Sequence, residues 1–384
     1  MKPAIIISAY NRPEALMRLL HSVSTAIYPN DVPLVISIDF GGERQSEVLD
    51  VAERFEWDHG IKEIILHESH LGLNQHAFFI GSLSSKHGSV IRLEDDYYVS
   101  PVFYEYAAKA LDFYKNDPRI GGISLYNVWF NGITHEPFVP CLDDSDVYFV
   151  QSSWAHGHVF LAPQWESYAA WTRQNDSRVS RNDKLHDSWA ALDKGDWLPS
   201  ATKYLAMTNR FYVFPRESLC TNFGDIGTHF KRASQYFQVP LQMRRRTFRF
   251  QLFEEAIAVY DAFQEILPDR LNRLTRDIAS YDFEMDVNGT KSASKISHPY
   301  VVTTQPCVLP IRSWGFAMYP TELNIVECIP GTDIKLCRSE DLRPGGYAGL
   351  VASYRQYEYA RSRLSVGLLK HTLFWIIRRI ERIK

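Results

Sequence analysis

The turn that follows the first apolar run, "SAYNRPEA", contains no glycine, and no GxGxxG pattern opens the chain. Dinucleotide-dependent redox chemistry is thereby disfavoured, since close backbone approach to a pyrophosphate needs those glycines. Cysteine is scarce: Cys141, Cys220, Cys307, Cys328 and Cys337 are scattered, odd in number and without CxxC spacing. That usage points to reduced thiols in a cytoplasmic setting, not to a disulfide framework. An excess of positive charge is also missing, with a net charge of −3, which argues against a nucleic-acid partner. No stretch reaches the ~18 apolar residues of a membrane span. The opening "MKPAIIISAYNRPE" has too short an apolar run for a secretory signal. The expectation is a cytoplasmic protein, soluble or peripheral on the inner membrane face.

What is present is a regular alternation. At 384 residues the chain has room for two domains, taking ~150 residues for each. "AIIISAY", "LVISID", "KEIILH" and "SVIRLEDD" read as short buried strands. Between them, "RPEALMRLLHSVSTA", "GERQSEVLDVAERF" and "LNQHAFFIGSLSS" carry helical spacing. Apolar strands separated by helices predict an α/β fold with a mostly parallel sheet covered on both faces. In such sheets ligands bind beyond the carboxyl ends of the strands, where Arg12, Asp39 and Glu94–Asp96 fall. From about Ser280 the pattern becomes strand-like, in "YDFEMDVNG", "YVVTTQPCVLPI", "ELNIVECI" and "DIKLC". Residues 1–245 are thus expected to form the catalytic domain and 246–360 a smaller β-rich domain. Residues 361–384 are expected to form a basic amphipathic helix, with Leu369, Leu373, Ile376, Ile377 and Ile380 on one face and Arg378, Arg379 and Arg382 on much of the rest. Such a helix suits either an anionic membrane surface or a packed position on a protein.

The segment "SVIRLEDDYYVSPVFYEY" ends an apolar strand in three consecutive carboxylates, Glu94, Asp95 and Asp96. Ser100 and Pro101 read as the cap and first turn of a helix over Pro101–Lys115. Acidic residues also favour helix N-termini, so a solvated acidic turn is the plain alternative. At the end of a sheet strand, however, oxygen ligands suit Mn²⁺ or Mg²⁺ bridging to phosphate. A cation there offsets charge on a departing diphosphate.

These residues carry a resemblance. "AIIISAYNRPEALMRLLHSV" and "SIDFGG" resemble the opening strands of GT-A nucleotide-sugar glycosyltransferases. "RLEDDYYVSPVFYEYAAKALDFYKNDPRIGGISLYN", "SSWAHGHVFLAPQWESY" and "HDSWAAL" resemble, in order, the N-acetylglucosaminyltransferase I group. "FGDIGTHF" is similar, more loosely, to a glycine-containing loop that orders over the donor, and the β-rich remainder looks more like bacterial family 2 glycosyltransferases. The resemblance spans about residues 3–240. It implies an inverting, metal-dependent transfer from a nucleotide-diphosphate sugar, UDP favoured, to a glycan or lipid-linked acceptor in cell-surface polysaccharide synthesis. It implies nucleobase contacts from Arg12 and Asp39, with Glu94 and Asp95 at the nucleotide and Asp95 near the ribose. Asp96 would be the metal ligand and Asp187 the general base. The family has a second Asp where this chain has Ser188.

Other residues are read beside these. His229, in the loop with Gly224 and Gly227, is either a further metal or phosphate ligand or a surface histidine. His156 and His158 lack the extra ligands a zinc site needs, so packing or substrate contact is preferred. Trp154 and Trp165 read first as core aromatics. A sugar-phosphate nucleotidyltransferase is the alternative enzyme, although the glycine-free first turn tells against it. A non-catalytic glycan-binding protein is the alternative outside enzymes.

Overall fold

The computed structural model describes residues 1–134, 136–192, 197–227, 235–244 and 247–343. His229 and the helix expected over 361–384 lie outside the described residues. In the first half of the chain the elements run β1 (Ala4–Ala9), α1 (Pro13–Ser24), β2 (Leu34–Ile38), α2 (Gln45–Arg54), β3 (Lys62–Leu66), α3 (Gly72–Ser82), α4 (Ser84–His87), β4 (Ser89–Glu94), β5 (Tyr97–Val99) and α5 (Phe103–Tyr114). Next come β6 (Ile120–Ser124), β7 (Val147–Val150), β8 (His158–Leu161), α6 (Ala162–Gln174), α7 (Asp187–Leu192), α8 (Trp197–Met207), β9 (Phe211–Pro215) and β10 (Cys220–Asn222). The remainder holds β11 (Val259–Tyr260), α9 (Pro268–Leu274), β12 (Phe283–Asp286), β13 (Tyr300–Thr303), β14 (Arg312–Trp314), α10 (Leu323–Val326) and β15 (Ile334–Arg338).

A nine-stranded sheet, in the order β11-β7-β9-β6-β8-β4-β1-β2-β3, forms the centre. Its β4-β1-β2-β3 half is parallel, as the alternation of strands and helices predicts. β8 enters antiparallel between β4 and β6 and turns the other half into a mixed sheet. Both faces are covered, and the period of two in β1 divides its side chains between them. Ile5 and Ile7 join Leu16 and Leu19 of α1 in the large core, while Ile6 packs with Val35, Val90 and Ile80 of α3. Fully burying a side chain of this kind contributes about 1.5–3 kcal/mol.

The second sheet, β12-β13-β15-β14, is the β-rich region expected from the sequence. Its Phe283, Met285 and Leu336 share a core with the large sheet, and β11 adds directly to β7. "ELNIVECI", expected as a strand, instead holds the short helix α10. The reason is local: buried Asn324 donates its side-chain amide to the carbonyls of Met318 and Thr321 and accepts from Ala317 and Met318. Those bonds wind the chain after Pro320, and a four-residue apolar run cannot by its period distinguish the two outcomes. The helix expected over Pro101–Lys115 runs from Phe103 to Tyr114, with Val102 as its N-cap, and β5 lies between the carboxylates and this turn. Ser100 accepts the Val102 N–H at 3.2 Å and donates to the Gln242 carbonyl. The structure adds α8, whose Pro199 sits in the first turn, where a missing N–H costs nothing.

Candidate active site

β1, β2 and β4 end side by side, and backbone bonds continue past their ends. Asp39 N–H donates to the Ala9 carbonyl at 2.9 Å and Asp95 N–H to the Ser8 carbonyl at 3.1 Å. The residues just beyond the strands therefore form one rim: Tyr10–Arg12 after β1, Asp39 after β2, Asp95 and Asp96 after β4. Arg12 precedes α1, and its carbonyl accepts the Leu16 N–H at 3.0 Å, so its backbone is fixed. Its guanidinium forks between two carboxylates, with Nη1 donating to Asp96 Oδ2 at 3.0 Å and Nη2 to Asp95 Oδ1. Burial works against the Arg12 charge, but Asp95 and Asp96 outweigh it and hold the guanidinium charged.

Burial pushes the Asp95 carboxyl up to about 6, against the pull of Arg12. Glu94 is pushed up to about 7 by burial, with Arg92 opposing and Asp96 and Asp95 adding to the rise. Arg92 donates to Glu94 at 3.0 Å and lies over the Trp197 ring. Near neutral pH Glu94 is thus only partly ionised.

Asp95 Oδ2 and Asp96 Oδ1 are buried and, among the described residues, have no hydrogen-bond partner. Two unpaired carboxylate oxygens in an enclosed rim fit a hard divalent cation. Among the described residues no group of three or more His, Cys, Asp or Glu side chains forms a complete cage. A cation held at Asp96 would therefore draw its other ligands from water and from phosphate oxygens, the usual habit of Mg²⁺.

Asp39, at the end of β2, is held by the backbone around it. Its Oδ1 accepts from the backbone N–H of Phe40 and Leu71, each at 2.8 Å. Its Oδ2 accepts from Gly72 N–H at 3.0 Å and faces His70 Nδ1 at 3.0 Å. Asp39 therefore ties the loop before α3 to the end of β2, and His70 packs in turn on the Tyr10 ring.

β5 pairs antiparallel with β10 and leads the chain after Asn222 back over the rim. Phe223 N–H donates to the Asp96 carbonyl at 3.0 Å. The Phe223 ring lies under Arg18, which also pairs with Asp225. Gly227 reaches Arg12: a methyl group there would come within 3.3 Å of Nη1.

Asp187 starts α7 and is half exposed. Its partner is buried Lys295, with Nζ 2.6 Å from Oδ1, and that bond holds the Asp187 carboxyl below the usual range. Among the described residues it makes no hydrogen bond to the Arg12–Asp95–Asp96 group. His156 and His158 do not converge. His156 packs against Tyr126 and Tyr97, and His158 against Trp197. Burial pushes His156 down to about 4, so its ring is neutral near pH 7. Trp165 is a core residue between Phe78 and Phe160, and the Trp154 indole N–H is buried without a partner among the described residues. Lys295 and Arg18 carry no local sequence signal, each meaningful only through its distant partner, whereas Arg92 is a cation set within the apolar run of β4 and pairs with nearby Glu94.

No family model matches the chain, and no curated protein matches it. Among solved structures, the chain is similar to the mannosyltransferase PcManGT from Pyrobaculum calidifontis, in complex with GDP-Man and Mn²⁺. The identity is 15% and the TM-score 0.39, with 59% of this chain and 59% of that chain covered. It is also similar to S. aureus TarS 1–349, at 13% identity and a TM-score of 0.37, over 57% of this chain and 60% of that one. GalNAc-T7 with UDP, GalNAc and Mn²⁺ matches at 16% identity and a TM-score of 0.38, over 56% and 43% of the two chains. The chain thus spans about three-fifths or less of the length of these structures.

Proposed function

We propose that the chain is an inverting, metal-dependent glycosyltransferase that takes a hexosyl or N-acetylhexosaminyl group from a nucleotide-diphosphate sugar. UDP is the favoured nucleotide, and the acceptor is a hydroxyl of a glycan or lipid-linked sugar in cell-surface polysaccharide synthesis, at the inner membrane face. One observation carries this reading: two buried carboxylate oxygens with no hydrogen-bond partner among the described residues, beside Arg12 and at the carboxyl ends of adjoining parallel strands. A purely structural acidic turn would leave its oxygens in water or satisfy them, because an unmet buried acceptor costs ~1–3 kcal/mol.

In this reading the diphosphate lies over Asp95 and Asp96, and the nucleoside extends toward Glu94, Arg12 and the loop that Asp39 fixes. A divalent cation at Asp96 supplies positive charge to the leaving diphosphate. Asp187, kept ionised by Lys295, takes the acceptor hydroxyl proton. That proton leaves as the oxygen forms its bond to the anomeric carbon and the bond to the diphosphate breaks on the opposite face, the electron pair leaving with the phosphate. A carboxylate of low basicity can serve because the proton moves late, when the oxygen has become acidic.

The test is a thermal-shift panel of UDP, GDP, dTDP and CMP, with and without Mn²⁺, on the wild type and Asp96→Asn. A ligand at ~100 times its dissociation constant adds about 2.7 kcal/mol to the folded state. Stabilisation by one nucleotide only with metal, lost in Asp96→Asn, is the expected result. A silent panel would overturn the donor-site reading in favour of a glycan-binding role.

A further inference from the structure

Contact with a nucleobase would not require what Arg12 does. Two of its terminal nitrogens are committed to carboxylates, one each, so a single positive charge is shared across Asp95 and Asp96. The Asp95 and Asp96 side chains are only 4% and 14% exposed, and Arg12 itself 23%, which makes this the least hydrated ion pair on the rim. The oxygens it leaves free, Asp95 Oδ2 and Asp96 Oδ1, are the same ones that suit a cation. Gly227 abuts the guanidinium from the loop side, where any larger residue would press on Nη1.

We propose that Arg12 is a tethered counter-cation: it holds the carboxylate pair while the site is free of metal and must release Asp96 before a divalent cation is gripped. Cation and nucleotide diphosphate then enter together, in place of a metal-first order. This rests on the donor-site reading above. A guanidinium bonded to Asp96 Oδ2 and a divalent ion at Oδ1 would be two positive bodies on one carboxylate, with no anion between them. Metal alone therefore meets the repulsion of the guanidinium across one carboxylate. A diphosphate removes that obstacle, because it offers the planar guanidinium a bidentate oxygen partner as good as the carboxylates. The Arg12 backbone stays anchored through its bond from Leu16, so the exchange needs only side-chain torsions.

The test measures Mn²⁺ binding directly, by electron paramagnetic resonance of free Mn²⁺, on the whole chain with and without UDP. Wild type is expected to bind Mn²⁺ alone weakly and at least about tenfold more tightly with UDP, the size of one charge-assisted hydrogen bond that must first be broken. Arg12→Gln, which removes the competing charge, is expected to bind Mn²⁺ alone at least about tenfold more tightly than wild type and to lose most of the UDP effect. Arg12→Lys keeps the charge without the fork and should fall between them. It also carries the test if circular dichroism shows Arg12→Gln unfolded. Equal or weaker Mn²⁺ binding by the variants, while wild type still binds Mn²⁺ with UDP, would overturn the counter-cation role and leave the donor site standing. If no protein binds Mn²⁺ under either condition, both ideas fail.

Discussion

Protonation of His76 should set much of the acid limit of this fold. His76 lies on α3, 6% exposed, with Nε2 2.8 Å from the Ser37 hydroxyl, while His67 Nε2 stands 3.0 Å from the same oxygen. Ser37 has one proton to give, so one ring accepts and the other must donate. Burial pushes His76 down to about 4, with Arg92, His67 and His70 in the same direction and Asp39 opposing. In the unfolded chain an imidazole titrates near ~6.5. The folded value is the lower one, so the unfolded state binds more protons below pH ~6.5, and stability falls as pH drops toward 4. A gap of about 2.5 units at 1.36 kcal/mol each corresponds to about 3.4 kcal/mol in full, and about 2 kcal/mol of it is already lost by pH 5. Urea unfolding of wild type and His76→Asn at pH 7 and pH 5 measures this. Wild type should lose about 2 kcal/mol more than the variant between the two. Equal losses would refute the reasoning, because the slope would then belong to other groups.

Gly81 provides a contest between two effects. On α3 an alanine would gain about 1 kcal/mol of helix preference, yet its methyl would sit 2.1 Å from the Trp165 indole. That ring is wedged against Phe78, Phe160 and Tyr168, so overpacking of ~1–3 kcal/mol prevails. Gly81→Ala should therefore lower the melting temperature, and a rise would show that Trp165 has room to move. For the catalytic assignment, Asp187→Asn should cut kcat by ~10²–10⁴ and leave nucleotide binding unchanged in the thermal-shift assay. Turnover within a few-fold of wild type would place the base elsewhere.

The parallel half of the sheet was readable because its information is local. Ile5, Ile6 and Ile7 demand burial on both faces, and Leu16, Leu19, Leu20 and Val23 give α1 a single apolar stripe. The rim positions follow from the same pattern, since each is simply the next residue after a strand. What these residues do was less legible. Arg12 finds Asp95 and Asp96 83 and 84 residues away, and Lys295 reaches Asp187 across 108, separations no spacing rule covers. Asp39 reads as a ligand-facing carboxylate, and no spacing rule shows that its oxygens also accept the backbone N–H groups of Phe40, Leu71 and Gly72 and face His70. Where side chains rather than period choose the outcome, as Asn324 does for α10, the apolar pattern misleads.

The ribbon of β5 and β10 acts as a ruler. Tyr97 pairs with Asn222, Tyr98 with Thr221 and Val99 with Cys220, and both strands run straight from this register into Asp96 on one side and Phe223 on the other. Adding or removing one residue in either strand would turn every side chain to the opposite face. The Phe223–Asp96 bond would then lose its register, and the chain after Asn222 would no longer be led back over the rim. Related chains that share this site can therefore vary in length before β4 or beyond Gly227, but the count from Asp96 to Val99, and from Cys220 to Phe223, should stay the same in all of them.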